Sequence, residues 1–251
     1  MAGHSQFKNI MHRKKAVDAK RSRAFSKHAR LIMTAARSGG GDPATNLSLR
    51  YAIDRARDDN MTNDAIDRAV KNGAGRGEGA AMESLTYEGY GPGGVAILIE
   101  ALTDNRNRTF GEVRQVVEHR GGSLGATGSV AWNFERRGVY FIPGEASQEE
   151  EVLEAALMAE ADDCTAIDGG FEVTGDPSSF AQVKDGLIEA GFKPEKSEIA
   201  WIAKNTVTLT DEQVATLVGM IEELDELDDV QSTDTNLEWT DAALAAAEQA
   251  S

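Results

Sequence analysis

Residues 138–204 read GVYFIPGEASQEEEVLEAALMAEADDCTAIDGGFEVTGDPSSFAQVKDGLIEAGFKPEKSEIAWIAK, and this stretch decides the fold. Val139–Ile142 is an apolar and aromatic run of strand length. Ser147 and Glu150 have capping-box spacing, and Val152, Leu153, Ala156 and Leu157 follow at helical intervals. Asp168-Gly169-Gly170 is a turn between two short strands, so a hairpin is expected there. Asp176-Pro177 opens a second helix with Phe180, Val183 and Leu187 on one face, Gly191 stops it, and Glu198–Ala203 is a last strand. The order β-α-β-β-α-β is that of a ferredoxin-like domain.

Reading outward, both flanks carry mixed periodicity. On the N-terminal side, Ser84–Glu88 and Val95–Thr103 read as strands around the loop Gly89–Gly94. Thr109 and Glu112 then have capping-box spacing, with Phe110, Val113 and Val117 as an apolar face and Gly121-Gly122 as a stop. Gly128–Glu135 and Gly138–Ile142 read as strands around a turn at Arg136-Arg137. On the C-terminal side, Thr210 and Gln213 cap a helix whose inner face is Val214, Leu217, Val218, Ile221 and Leu224, and Asp229–Asn236 is a strand. The segment before residue 138 lacks one helix and one strand of a closed layer, and the segment after 204 supplies them. The expectation is a discontinuous α+β domain, 80–137 plus 205–240, into which 138–204 is inserted. Residues 241–251, rich in alanine, read as a flexible tail.

Residues 1–79 are of another kind. Phe25, Ala29, Ile32 and Ala36 mark the apolar face of one helix spanning Val17–Arg37. Asp42-Pro43 starts a second helix with Leu49, Ile53 and Ala56 inside, and Asn60 suits a left-handed helix end. Thr62 caps a third helix, with Met61 and Ile66 at staple positions, and Gly73 stops it. Gly73–Gly79, with glycine at every second position, is a flexible linker. The chain is thus read as α+β, a basic helical domain at 1–79 followed by the two α+β domains.

Charge separates these parts. Gly3–Arg37 holds ten Lys and Arg residues and one acid, a net +9, in a chain whose total is −16. A solvated surface needs charge, but it does not need the signs segregated. Lys20, Arg23, Lys27 and Arg30 form a basic stripe roughly opposite the apolar face, about 15 Å long at ~1.5 Å per residue. His4, Ser5, Phe7, Lys8, His12, Arg13, Lys14 and Lys15 precede it as a basic arm. Lys and Arg at this density neutralise phosphates, and Phe7 and the His rings can stack on bases. These twelve residues are the candidate nucleic-acid contacts. Arg106 and Arg108, at a strand end and helix start, are a second candidate for phosphate or a partner carboxylate, beside the plainer reading of a polar cap paired with Asp104.

Other motifs carry less. The acidic run Glu222–Asp229 lacks the spaced Asp/Asn-Gly pattern of a calcium loop and reads as a solvated helix end, although acid there opposes the helix dipole. Gly89–Gly94 reads as a hairpin rather than a nucleotide loop. His4, Lys8 and His12 could form an acid–base set for RNA cleavage, but an arm offers them no pocket. Cys164 is the lone cysteine, which suits a reducing cytoplasm, and with four scattered histidines it makes no zinc site. No apolar run reaches the ~18 residues of a membrane span.

Several of these residues also carry a resemblance. Gly3-His4-Ser5, His12-Arg13-Lys14, Gly39–Pro43, Asn60-Met61, Tyr87–Gly94, Asp104–Thr109 and Gly128-Ser129-Val130, in order over nearly the whole chain, resemble the YebC/PmpR family, which includes the mitochondrial translational activator of cytochrome oxidase subunit one. The resemblance implies a helical N-terminal domain followed by two α+β domains, one inserted in the other. It implies no enzymatic activity, and a cytoplasmic DNA-binding transcriptional regulator or a ribosome-associated translation factor. The sequence departs from the family where Gln6-Phe7 stands for Lys-Trp, and where Thr233-Asp234-Thr235-Asn236 stands for Val-Tyr-His-Asn. The expected partner is nucleic acid, DNA or ribosomal RNA, with the ribosome as a possible assembly. No catalytic set, cofactor, metal, membrane or small-molecule substrate is expected.

Overall fold

The computed structural model describes residues 21–75, 82–167 and 169–250, with side chains for all of these except 21–23 and 250. Three helices come first: α1 (Arg21–Gly39), α2 (Leu47–Asp58) and α3 (Asn63–Ala74). Ile32, Ala36, Leu49, Ile53, Ala56, Ile66 and Ala69 close one core between them, with Phe25 and Ala29 packed at its margin. Asn60 takes the left-handed conformation at φ 63°. Helix α2 begins later than Asp42-Pro43 suggests. Asn46 is its cap, accepting from the Leu49 amide at 3.1 Å, while its Nδ2 donates to the carbonyls of Ala35 and Gly40. Asp42-Pro43 instead forms a turn, the Asp42 carboxylate accepting from the Ala44 amide. Thr62 sits at the α3 cap position without a side-chain bond to the helix. Gly73 does not stop α3. A Cβ there would lie 2.4 Å from the Met33 carbonyl oxygen, so this glycine lets α3 approach α1.

Two four-stranded antiparallel sheets follow. The first has the order β3-β1-β2-β8, from β1 (Glu83–Tyr90), β2 (Ala96–Thr103), β3 (Ser123–Leu124) and β8 (Val230–Thr235). The second has the order β5-β6-β4-β7, from β4 (Phe134–Pro143), β5 (Asp163–Ile167), β6 (Gly170–Gly175) and β7 (Lys196–Ala203). Helices α4 (Arg106–His119), α7 (Asp211–Glu226) and α8 (Asp241–Ala250) accompany the first sheet, and α5 (Glu149–Met158) and α6 (Phe180–Glu189) the second. Strand β8 pairs with β2, so the chain returns to the first sheet after completing the second.

That return is fixed by asparagines. Asn205 lies on the way back, its amide donating to the Asn133 side chain and its carbonyl accepting from Asn133 and Asn236. Asn236 also accepts from the Ala96 amide at 2.7 Å. Below this knot Ala96, Leu98, Val130, Phe134 and Ala203 pack as a small core joining the sheets.

Several local expectations are corrected. Arg136-Arg137 is no turn: β4 runs unbroken from Phe134 and pairs with β7 through Arg136↔Trp201 and Arg137↔Ala200. The second sheet therefore begins before residue 138. Thr109 does not cap α4; Asn105 does, and the Thr109 hydroxyl is buried elsewhere. The helix box before α5 is Glu145–Gln148 rather than Ser147–Glu150. Val152 and Ala156 are buried, but Leu153, Leu157 and Phe110 are exposed. The alanine-rich end is no flexible tail, because α8 buries Ala243, Ala246 and Ala247 against α7. Small side chains allow that close approach although each gives little apolar area.

Candidate nucleic-acid interface

His4, Ser5, Phe7, Lys8, His12, Arg13, Lys14, Lys15 and Lys20 lie outside the described residues, as does the side chain of Arg23. Lys27 and Arg30 are described, and both point into the molecule. Lys27 Nζ donates to the Asp225 carbonyl at 2.8 Å. Arg30 donates to the Asp228 carbonyl at 2.6 Å and to the Asp229 carboxylate at 3.1 Å, with the Asp228 carboxylate 3.7 Å away. The inner half of the basic stripe thus closes on the C-terminal end of α7. This explains the acid there. Its charge and its carbonyls, unfavourable for α7 alone, are matched by two cations from α1.

Asp229 is the centre of this contact. Its side chain is only 6% exposed. Besides Arg30 it accepts from Arg108 at 2.6 Å, Thr109 at 2.8 Å and Thr103 at 3.0 Å. Burial pushes its pKa up, but the hydrogen bonds from Arg108, Thr109 and Thr103 and the Arg108 charge outweigh that, and the carboxyl is held below the ordinary aspartate range. Arg108 also pairs with Asp104 at 3.0 Å. Of the second pair of candidate arginines, Arg108 is therefore engaged internally. Arg106 stays 68% exposed, with Glu83 at 3.6 Å.

The same three-helix unit meets the second sheet through α2. The Tyr51 hydroxyl accepts from the Ile199 amide at 2.8 Å, and its ring meets Phe180 edge-on at 5.2 Å. Arg55 lies 3.5 Å from Glu198, and Lys184 bonds Asp58 at 3.0 Å. Within the unit, His28 is buried and bonds Asp59 at 2.7 Å.

Two of the motifs read from the sequence meet as a structural pair. Glu88 is 6% exposed, and its carboxylate accepts from the amides of Gly128 at 2.6 Å, Val130 at 2.8 Å and Ala131 at 2.8 Å. Burial raises its pKa, yet these three bonds win and hold it below the usual glutamate range. So Tyr87–Gly94 and Gly128–Val130 are a carboxylate and its backbone cradle. Sequence reasoning missed Asp229, Tyr51, Arg55 and Glu88. Only their neighbours in space reveal them, and for Asp229 the one signal was its place in an acidic run that should disfavour its own helix. Among the described residues no group of His, Cys, Asp and Glu is placed to hold a metal, and no helix is long and apolar enough to cross a membrane.

The comparisons with known proteins agree along the chain. Residues 5–76 match the family model described as the TACO1/YebC protein N-terminal domain, and residues 82–237 the model described as the TACO1/YebC second and third domain. A protein of Caldanaerobacter subterraneus named "probable transcriptional regulatory protein" is 45% identical over 96% of this chain and 100% of its own length. A protein of the same name from Shewanella oneidensis is 47% identical over 96% of this chain and 97% of its own. The crystal structure of a conserved hypothetical protein, Aq1575 of Aquifex aeolicus, superposes with a TM-score of 0.79 at 42% identity, covering 88% of this chain and 92% of that one. With both family models matched in order over most of its length, the chain belongs to the TACO1/YebC family.

Proposed function

We infer that this protein is a non-enzymatic regulator of gene expression that grips nucleic acid with its basic N-terminal residues. It works as three units: the helices of residues 1–79, the discontinuous first sheet with its helices, and the inserted second sheet with its own. The observation that carries the reading is the segregation of charge, +9 within Gly3–Arg37 against −16 for the whole chain. The acidic remainder repels phosphate and so restricts nucleic acid to that one end. The names of the relatives favour a transcriptional regulator, and on that reading the nucleic acid is DNA.

One observation favours a second reading, a translation factor on ribosomal RNA. Lys27 and Arg30 are engaged by the α7 end, so half of the stripe that would lie along a duplex is already satisfied. Phosphate contact then falls to residues 4–23, a short segment rich in Lys, Arg and His with one aromatic, suited to irregular single strands. Sedimentation of cell lysate through sucrose at low and moderate salt separates the two. Travel with ribosomes, lost as salt rises and lost on deleting residues 2–15, supports the RNA reading. A protein that stays at the top at both salts, and that enriches one duplex sequence in a binding selection, supports the DNA reading.

A further inference from the structure

Strand β1 is paired along its whole length on one side only. β2 runs beside it from Glu83↔Thr103 to Tyr90↔Ala96, while β3 covers only Gly89 and Tyr90 on the other side. The Glu88 carbonyl accepts from the Gly125 amide at 2.8 Å, so Glu88 turns its backbone toward that second side. Backbone direction alternates along a strand, which puts the amides and carbonyls of Thr86 and Ser84 on the same open edge. Both residues are exposed, and no strand of the described residues lies opposite them.

The edge borders a cleft of about 320 Å³. Leu85, Tyr87 and Phe110 form its apolar wall, with Leu124 at the end where β3 stops. The Tyr87 and Phe110 rings are 6.1 Å apart, and Phe110 is 44% exposed. The Tyr87 phenol oxygen is buried and has no hydrogen-bond partner among the described residues. Of the charged side chains lining the cleft, Glu88 is spent on three backbone amides, whereas Arg106 is 68% exposed and meets, among the described residues, only the exposed Glu83, at 3.6 Å. Exposed sheet edges are normally blunted, by charge, proline or a covering element. Here a free ladder, an aromatic slot and an exposed cation occur together.

We propose that this edge is a docking site for an extended segment of a partner protein, which adds as a strand beside β1 in continuation of β3. Its backbone pairs with Thr86 and Ser84, one large apolar side chain enters the slot over Tyr87 and Phe110, and one carboxylate meets Arg106. Charge complementarity selects a segment with one carboxylate, which takes Arg106 from its exposed partner Glu83, a surface ion pair of little net strength. The inference does not rest on the nucleic-acid reading and survives its failure.

The test is selection of short random linear peptides against the full chain, followed by affinity measurement on the peptides obtained. The expected peptides pair an acidic residue with an aromatic or branched one. Methylating their backbone nitrogens one at a time weakens binding roughly tenfold at every second position, the period of a strand. Thr86→Pro removes the outward amide at a place where an edge strand tolerates proline, and Phe110→Ala opens the slot, and each is expected to weaken binding by a similar factor. If Thr86→Pro does not fold, the methylation period and the Phe110→Ala result decide. Binding with no period of two, or none that Phe110→Ala weakens, overturns the proposal. So does a homodimer that Thr86→Pro dissolves, which gives the edge to a second copy, or a short oligonucleotide that competes for the slot, which gives it to a base.

Discussion

Helices α1 and α2 hold the same three-helix unit to the rest of the chain by different means. Helix α1 reaches the end of α7 with the long cationic side chains of Lys27 and Arg30, directed at backbone carbonyls and carboxylates. Helix α2 meets the second sheet with an aromatic ring packed on Phe180 and a phenol bonded to a strand amide. The first contact is made of hydrogen bonds and charge, so salt competes with it. The second adds a desolvated ring contact to the ion pairs Arg55–Glu198 and Lys184–Asp58, so salt weakens only part of it. The difference makes α1 the more salt-sensitive side of the unit and the Tyr51 ring on α2 the less sensitive one.

The largest expected effect breaks the packed side. Tyr51→Ala removes the ring and leaves the Ile199 amide without its acceptor, at a cost of about 3 kcal/mol. Urea unfolding followed by tryptophan fluorescence should show this loss, equal at low and high salt. Equal loss at both salts is the point, because a salt-dependent loss would place Tyr51 in the electrostatic contact instead.

Asp229→Asn should cost about 2 kcal/mol, because it leaves Arg30 and Arg108 without their shared charge while keeping an acceptor for the two threonines. Its pH dependence follows from sign. The folded carboxyl titrates below its unfolded value of about 3.9, so the unfolded chain takes up the proton first. The stabilisation is complete above that value and is lost as pH falls through the folded one. Parent and variant should therefore converge in stability in acid below about pH 4, which a urea series at several pH values reads directly. The same sign applies to Glu88, where Glu88→Gln turns an amide donor toward amide donors and should cost about 1–2 kcal/mol.

The smallest effect sharpens the salt-sensitive side. Replacing both Lys27 and Arg30 by Ala should cost about 1 kcal/mol at low salt and less at high salt, the part left at high salt being the buried Arg30–Asp229 bond. Hydrogen exchange should show α1 losing protection in that variant while α2 keeps it. Uniform loss across the unit would contradict the division between the two helices.

Much of this was legible in the sequence, for physical reasons. Apolar spacing located Ile32, Ala36, Leu49, Val113, Val183 and Leu217 in cores, because burial follows local periodicity. The capping box at Thr210 and Gln213 is present, and so is the left-handed Asn60, since both depend on nearest neighbours. Failure came where a distant partner decides. Asp42-Pro43 looks the better helix start, but Asn46 wins because it also ties the turn to α1. Arg136-Arg137 is polar enough for a turn, yet β7 pairs straight across it. The basic stripe was visible, but the destination of Lys27 and Arg30 was not, because the acids they meet lie far away in the chain.

On the proposed function, the basic residues before Lys27 carry the grip on nucleic acid. Fluorescence anisotropy of the full chain with a short single-stranded RNA and a short DNA duplex, over a range of salt, tests it most directly. Log K should fall linearly with log salt. Replacing Lys8, Arg13, Lys14 and Lys15 by Glu should lower affinity at least about tenfold, and on a single strand should flatten the slope by about 0.7 for each phosphate no longer neutralised. Unchanged affinity and slope in that variant, or no binding by the parent at low salt, would contradict it.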